Sequence, residues 1–242
     1  MKLVREQKDI APTLAKILGL SYNVPSGKSI GVEEEFIGEK VLLAIVDSLD
    51  WLIYTKFGRP ILENICVGSL HEFKVSSTVD KTSPSIATVL TGLDPGEHKI
   101  FSTEDARHSG ILNLPEFVER NGLRSTVIME EGGANTFLKS LNQVTAVKDT
   151  GDVDAFDRKI LSGVSRATDR FEFIVCHLRT IDEYLHQVRS LEEIRESLEK
   201  ILNIVVEIAR TGNFLLVITG DHKAHGKAFE GSEILPLVFL DI

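Results

Sequence analysis

Five short segments of the chain consist almost entirely of apolar residues and do not alternate with polar ones. They read VLLAIV (41–46), STVIM (125–129), FEFIVCHL (171–178), NFLLVIT (213–219) and LPLVFLD (235–241). Continuous apolar runs of this length are typical of strands that are covered on both faces, as in parallel sheets. The segment NICVGSL (64–70) is a weaker strand candidate.

Segments with the spacing of amphipathic helices lie between these runs. The longest is SLEEIRESLEKILNIVVEIARTG (190–212), where Ser190 and Glu193 form a capping-box pattern. Shorter helices are expected in DVDAFDRKILSGVSRATD (152–169) and LPEFVERNG (114–122). Alternation of strands and helices predicts the α/β class, with a doubly wound, mostly parallel sheet and helices on both faces.

Composition narrows the class of protein and its partners. The 242 residues are 43% hydrophobic and 26% charged, which suits one large α/β domain or two small ones and is enough chain to bury a substantial core. The net charge of −9 argues against a binder of nucleic-acid duplexes or anionic membranes, because such binders need a basic face. Cys66 and Cys176 lie in apolar runs, so buried thiols are expected rather than a disulfide. The sequence shows neither a signal-peptide pattern nor an apolar stretch of spanning length, which predicts a cytoplasmic protein.

Acidic and imidazole side chains follow three of the predicted strands. In chain order they are Asp47, the pair Asp182 and His186, and the group Asp221, His222 and His225. Ligands of doubly wound sheets bind beyond the carboxyl ends of the strands, so we expect these side chains to converge on one rim. Carboxylates mixed with imidazoles suit Zn²⁺, Mn²⁺ or Fe²⁺ better than Ca²⁺.

Each of these motifs alone also fits an ordinary structural role. An Asp that follows a strand commonly caps the next helix, which is the simplest interpretation of Asp47 taken alone. Asp182 and His186 are four residues apart and would also form a surface pair on one helix face. The joint placement of all three motifs at strand ends favours a metal site.

The stretch STVDKTSPSIATVLTGLDPGEHKI (77–100) resembles the alkaline phosphatase superfamily, especially its nucleotide pyrophosphatase/phosphodiesterase and sulfatase-like branches. In that family a Thr, Ser or Cys nucleophile opens a helix that runs into a TGL-P--HG turn, and D---H and DHG motifs follow later strands. Here DEYLH and GDHK occur in that order. The resemblance makes Thr82 the catalytic nucleophile, at a helix start where free N–H groups favour a phosphate. A plain helix cap is the alternative for Thr82.

The resemblance also implies two divalent metal ions, zinc or manganese. One ion would be held by Asp47, Thr82, Asp221 and His222, and the other by Asp182, His186 and His225. Ser85 takes the place of a phosphoryl-binding Asn of the phosphodiesterase branch and is the candidate substrate-binding residue. His177 is a fallback metal ligand, although its position on a predicted strand favours the core.

The activity implied by the resemblance is a phosphoesterase, either a phosphodiesterase or a phosphomonoesterase, acting on a small phosphorylated substrate. Transfer of the phosphoryl group to another hydroxyl is a variant within this class. Threonine cannot become formylglycine, so sulfatase chemistry is not expected at residue 82. The alternative is a non-catalytic member of the fold that acts as a binding or assembly subunit. A homodimer stays open.

The segment DIAPTLAKILGLSYNVPSGKSI (9–30) resembles the closing segment of sulfatase and phosphomutase relatives. There it follows a strand similar to LPLVFLDI, which here stands at residues 235–242. The resemblance therefore implies one circularly permuted alkaline phosphatase-like domain, 1–242, with parts 1–30 (permuted segment), 31–40 (linker) and 41–242 (core). Met1 should then lie beside Ile242. The alternative is an unrelated amphipathic helix.

Overall fold

The computed structural model describes residues 5–66, 68–77, 79–226 and 229–242, and these form β-strands and α-helices in alternation. The strands are β1 Arg5–Glu6, β2 Val41–Val46, β3 Leu70–Ser76, β4 Ser125–Glu130, β5 Val144–Val147, β6 Phe173–Leu178, β7 Leu215–Gly220, β8 His225–Gly226, β9 Phe229–Glu230 and β10 Ile234–Leu240. The helices are α1 Ile10–Ile17, α2 Trp51–Ile53, α3 Arg59–Ile65, α4 Thr82–Thr91, α5 Pro95–His98, α6 Thr103–His108, α7 Leu114–Arg120, α8 Glu131–Ala134, α9 Val153–Ala167, α10 Thr180–His186 and α11 Leu191–Gly212.

Eight strands form one sheet in the order β1-β3-β10-β7-β2-β6-β4-β5. Every neighbouring pair is parallel except the two that involve β10, which runs antiparallel to both β3 and β7. The mostly parallel, doubly wound sheet is therefore confirmed. The apolar run at 235–241 is a buried strand as predicted, but its expected parallel direction is wrong, because burial on both faces does not depend on strand direction.

The sheet is covered on both faces, and the side chains of β2 show this directly. Leu42, Ala44 and Val46 belong to one apolar cluster, which also holds the buried faces of α9 and α11. Val41 belongs with Leu43 and Ile45 to a second cluster, which is covered by α1, α4 and α7. The helix predicted at 190–212 is confirmed, with its capping box in place.

One predicted strand is wrong in position. The weak candidate at 64–70 begins inside α3, and the strand next to it, β3, starts only at Leu70. The sequence of β3 is LHEFKVS, and only Val75 in it is fully buried. Since β1 beyond it is two residues long, β3 lies close to the sheet edge and does not need the apolar run that the inner strands need.

The amino-terminal segment packs on the sheet face that the permutation requires. Helix α1 lies in the same apolar cluster as Leu237 and Phe239 of β10. The expected linker at 31–40 also contributes to this cluster, because Val32 and Phe36 are buried there and the ring of Phe36 stacks on Phe239 with centroids 6.2 Å apart. The permuted chain order itself stays a prediction.

The expected neighbourhood of Met1 and Ile242 lies outside the described residues, which begin at Arg5. At the other end, the N–H of Asp241 donates to the carbonyl of Ser69. Within the described ranges, no helix combines the length and the apolar composition needed to cross a membrane.

Replacing Leu14 by Ala tests how much α1 contributes to the domain. Leu14 is fully buried between α1 and the sheet, so the variant should lower the free energy of unfolding by about 2–5 kcal/mol. Leu138→Ala, at a side chain that is 59% exposed, is the matched control and should change it by less than about 0.5 kcal/mol. Urea denaturation of the three proteins measures both effects, and equal stability of the two variants would contradict the packing of α1 described above.

Candidate metal centre and active-site cleft

Two buried carboxylates leave the sheet side by side because β2 and β7 end level with each other. Val46 is paired with Gly220, so Asp47 and Asp221 are the next residues of adjacent parallel strands. Both side chains are almost completely buried, with 5% and 0% of their surface exposed. Two carboxylates held this close without solvent repel each other unless a cation lies between them.

Imidazoles surround this carboxylate pair. His222 Nε2 lies 3.0 Å from Asp47 Oδ1 and 3.6 Å from Asp221 Oδ2. His177 Nε2 lies 3.6 Å from Asp47 Oδ2 and 3.9 Å from Asp221 Oδ2. His177 is buried as expected, but it lies beside the carboxylates and lines the cleft, so the expectation that it points into the core is wrong.

A second group lies next to the first and is more open to solvent. Asp182 and His186 share one face of α10, with Asp182 Oδ2 3.4 Å from His186 Nε2. The ring of His225 packs edge-on against that of His186, with centroids 4.8 Å apart. One ligand atom from each of these three residues lies within 4.8 Å of the others. The short spacing from His222 to His225 therefore does not prevent His225 from reaching this group.

Thr82 opens α4 and faces the first group. It is the first residue of the helix, and the capping position belongs to Lys81, so the alternative of a plain N-cap does not describe it. Its Oγ1 lies 3.4 Å from His222 Nε2. Asp47 is not a helix cap either. The residue that caps α2 is Asp50, three positions later, whose side chain accepts the N–H groups of Leu52 and Ile53.

The structure does not bring Ser85 to the site. Its side chain is fully buried and its hydroxyl donates to the carbonyl of Val79. Ser83, two residues earlier, lines the cleft instead and lies within hydrogen-bonding distance of Thr103, with the two hydroxyl oxygens 3.2 Å apart. The helical turn explains the difference, since residues two positions apart lie on different sides of a helix.

The turn after β2 packs closely against the end of β7. A β-carbon at Gly220 would lie 2.0 Å from the carbonyl oxygen of Leu49, so only glycine allows this approach. Ser48 in the same turn has φ 59° and donates its N–H to Asp221 Oδ1 and its hydroxyl to Asp182 Oδ1. Neither Gly220 nor Ser48 carries a recognisable motif in the sequence, and the role of both depends on contacts between distant segments.

Buried atoms without partners show that the site fits a cation. Three atoms of this cluster are buried without an aligned hydrogen-bond partner, namely Asp47 Oδ1, Asp221 Oδ2 and His177 Nε2, and the one other such side-chain atom among the described residues is Ser29 Oγ. Burying such groups unpaired is costly, and native proteins rarely leave them so. All three atoms belong to the group around Asp47, and carboxylate oxygens with imidazole nitrogens are the donor set that zinc and manganese accept.

The pKa values of the cluster also indicate that the site attracts a cation. Burial raises the pKa of Asp47 well above its usual range, and the charge of Asp221 raises it further. Burial alone would lower the pKa of His222, but the carboxylates of Asp47 and Asp221 outweigh it and raise the pKa to about 10. Burial lowers the pKa of His177 and so keeps its imidazole neutral at neutral pH. Without a metal ion, the proton on His222 is the cation that the carboxylates attract.

A cleft of about 680 Å³ extends from this cluster. Asp47, Thr82, His177 and Asp182 line one end. Apolar side chains from α4 and the segment after β4 form part of the wall, and the basic residues along it are Arg107, Arg120, Lys139 and Arg179. The cleft has room for an organic group beside the Thr82 hydroxyl.

No family model matches the sequence, and no curated protein matches it either. Solved structures do match. Murine ectonucleotide pyrophosphatase / phosphodiesterase 5 superposes with a TM-score of 0.63 at 18% identity, over 76% of this chain and 57% of that one. An alkaline phosphatase superfamily protein from Vibrio parahaemolyticus superposes with a TM-score of 0.59 at 12% identity, over 84% of this chain and 60% of that one. The C-terminal periplasmic domain of EcEptC from Escherichia coli, in complex with Zn, superposes with a TM-score of 0.60 at 12% identity, over 84% of this chain and 72% of that one.

The chain therefore has an alkaline phosphatase-like fold, which confirms the resemblance stated from the sequence at the level of the fold. It spans less than two thirds of the length of the first two of these structures. At these identities the similarity shows the fold alone, so the chemistry of this chain has to be argued from its own residues.

Metal binding should release a proton from His222. A ligating imidazole must be neutral, whereas the raised pKa of about 10 keeps His222 protonated at neutral pH in the metal-free chain. We expect metal affinity to rise with pH up to about 10 and to fall in acid. Calorimetry in two buffers of different ionisation enthalpy counts the released protons.

The control for this measurement is His222→Gln, which keeps the size of the side chain but cannot be protonated. It should release about one proton fewer per chain than the wild type. Equal proton release by the two proteins would show that His222 is not a ligand.

Proposed function

We propose that the protein is a metal-dependent phosphoesterase in which Thr82 is the nucleophile. The observation that carries this proposal is the position of the Thr82 hydroxyl, which lines the cleft at the first turn of α4 and lies 3.4 Å from His222 Nε2. Free N–H groups and the positive end of the helix dipole meet at that turn, which favours a bound phosphoryl group.

Two groups of side chains would hold two divalent ions, zinc or manganese. Asp47, Thr82, Asp221 and His222 form the first set, and Asp182, His186 and His225 form the second. Such ions, when bound, lower the pKa of a coordinated hydroxyl and neutralise charge on phosphoryl oxygens. The unpartnered buried atoms Asp47 Oδ1 and Asp221 Oδ2 support the first site, and the mutual reach of the second set supports the other.

The reaction proceeds by two displacements at phosphorus. Thr82 Oγ1 forms a bond to phosphorus, the bond from phosphorus to the leaving oxygen breaks, and the leaving group departs with the proton that Thr82 loses. Water then attacks the phosphothreonine, which returns the hydroxyl to Thr82 and releases the phosphate product. Asp47, Asp221 and Asp182 would themselves repel the negative charge of a phosphoryl group, so their role would be to hold the ions that neutralise this charge.

The cleft favours a small organic phosphate ester as substrate. Its volume of about 680 Å³ exceeds what a phosphoryl group occupies, and its walls mix apolar and basic side chains. A second ester group on the phosphorus would extend along α4 toward Arg107 and Lys139, which lie along the same cleft. A phosphodiester and a phosphomonoester both fit this cleft, and a metal-supplemented comparison of bis-p-nitrophenyl phosphate with p-nitrophenyl phosphate distinguishes them.

Thr82→Ala should abolish turnover and leave the fold intact. Thr82 is the first residue of the helix and not its N-cap, so we expect the loss of its hydroxyl to cost no more than the roughly 0.5–2 kcal/mol of a cap replacement. Thr103→Ala is the matched control, because Thr103 is also the first residue of a helix and lines the same cleft, but it is not part of the acidic cluster. The control should keep most of its kcat, and wild-type hydrolysis by Thr82→Ala would rule out Thr82 as the nucleophile.

Metal content separates the enzyme from the alternative of a non-catalytic binding subunit. The wild-type chain should take up about two equivalents of zinc or manganese, and Asp182→Ala should take up one fewer. Mass spectrometry under native conditions or atomic emission of the dialysed protein gives the stoichiometry. A folded chain that takes up no metal would support the binding subunit instead.

A further inference from the structure

Ser48 stands in an unusual backbone conformation at the centre of the site. It directly follows Asp47, is completely buried and has φ 59°. This left-handed region is costly for residues with a β-carbon, and glycine adopts it without that cost. A serine kept in such a position needs a compensating interaction from its side chain.

The side chain and the backbone of Ser48 contact carboxylates from both ligand sets. Its hydroxyl donates to Asp182 Oδ1 at 2.7 Å, and its N–H donates to Asp221 Oδ1 at 3.1 Å. The same hydroxyl oxygen lies 3.4 Å from His222 Nδ1. No motif of the sequence pointed to these contacts.

The contacts leave the second oxygen of each carboxylate directed at its own group. Asp182 uses Oδ1 for Ser48, while its Oδ2 lies 3.4 Å from His186 Nε2. Asp221 uses Oδ1 for the N–H groups of Ser48 and His222, while its Oδ2 is buried without a hydrogen-bond partner. One residue thus fixes which oxygen of each carboxylate remains available.

We propose that Ser48 is a positioning residue for one carboxylate of each proposed metal set, with its hydroxyl orienting Asp182 and its N–H orienting Asp221. The inference rests on the proposed metal centre and assigns Ser48 no contact with substrate. Partners that orient metal ligands typically change metal affinity by about 10–100-fold when they are removed.

Two substitutions separate the hydroxyl from the backbone. Ser48→Ala removes the hydroxyl and keeps the cost of the left-handed conformation, whereas Ser48→Gly removes both. The N–H to Asp221 survives in each variant. Both variants should therefore lose about 10–100-fold in affinity for the ion at Asp182 and keep the affinity for the ion at Asp47 and Asp221. Ser48→Gly should also melt at a higher temperature than Ser48→Ala.

Calorimetric titration of the metal-free chains with Mn²⁺ measures both affinities, and Asp182→Asn identifies which equivalent belongs to Asp182. In the Asp182→Asn background, Ser48→Ala should cause no further loss, because the two residues act through one contact. Ser125→Ala is the control, since Ser125 is equally buried and its hydroxyl donates at 2.7 Å to a carbonyl outside the site. It should bind both ions as the wild type does.

The outcomes are distinct. Unchanged affinity for both ions in Ser48→Ala, or equal weakening of both, would overturn the specific role of the hydroxyl at Asp182 while the metal centre stands. Wild-type affinity in Ser48→Gly with weakened binding in Ser48→Ala would assign the effect to the backbone and overturn the role of the hydroxyl. A wild-type chain that binds no Mn²⁺ and no Zn²⁺ would overturn the proposed function together with this inference.

Discussion

The repulsion between Asp47 and Asp221 is the constraint on which the rest of the site depends. Their strands end level and adjacent, so the two carboxylates are forced together where solvent does not reach them. The protein does not separate the two carboxylates; it offsets their repulsion with hydrogen-bond donors. The N–H groups of Ser48 and His222 both point at Asp221, and the His222 imidazole lies between the two acids. What remains unpaired is the part of the cluster that a metal ion would satisfy.

The same constraint accounts for features that otherwise look unrelated. The end of β7 has to be glycine because the turn that carries Asp47 lies directly against Gly220. Asp50 is fully buried in order to hold this turn, since one of its oxygens caps α2 and the other accepts the N–H of Ser232. The amide of Gln7 reaches the carbonyl of Asp221 from the amino-terminal segment. Rigidity around the carboxylates, rather than any single bond, keeps the ligand oxygens in place.

The sequence predicted the inner part of the fold well and the edges poorly, for a physical reason. Inner strands such as β2 are apolar throughout because both faces are covered, and that pattern is visible in any single segment. Strand β3 lies next to the edge of the sheet and carries His71, Glu72 and Lys74. Its sequence therefore does not show the continuous apolar run that marks the inner strands. The direction of β10 was also out of reach, since burial on both faces looks the same for parallel and antiparallel strands.

The candidate site divides in the same way. Asp47 and Asp221 could be found because strand ends are marked in the sequence and the rim of a doubly wound sheet gathers them. Ser85 was misplaced because the resemblance aligns positions along the chain and does not report which side of α4 each one faces. Ser48 was missed because its importance comes from contacts with residues 134 and 173 positions away. Local pattern marks acidic and imidazole residues at strand ends, whereas contacts such as those of Ser48 emerge only when distant segments meet.

The amino-terminal segment shows that the arrangement of the carboxylates at the strand ends does not depend on the order of segments along the chain. Within the described residues, α1 packs in the apolar cluster on one face of the sheet, and Gln7, just before α1, donates to the carbonyl of Asp221. Neither contact depends on which end of the chain supplies the segment. Most of the candidate ligands follow three strands that are contiguous in the sheet. Asp47 follows β2, Asp221 and His222 follow β7, and Asp182 and His186 lie on α10 after β6, whereas Thr82 lies on α4. A rearrangement that moves α1 from one end of the chain to the other would therefore leave the carboxylate rim unchanged, provided that the helix still covers Leu237 and Phe239. This is why the permuted order inferred from residues 9–30 is compatible with an intact site, although the fold by itself does not establish that order.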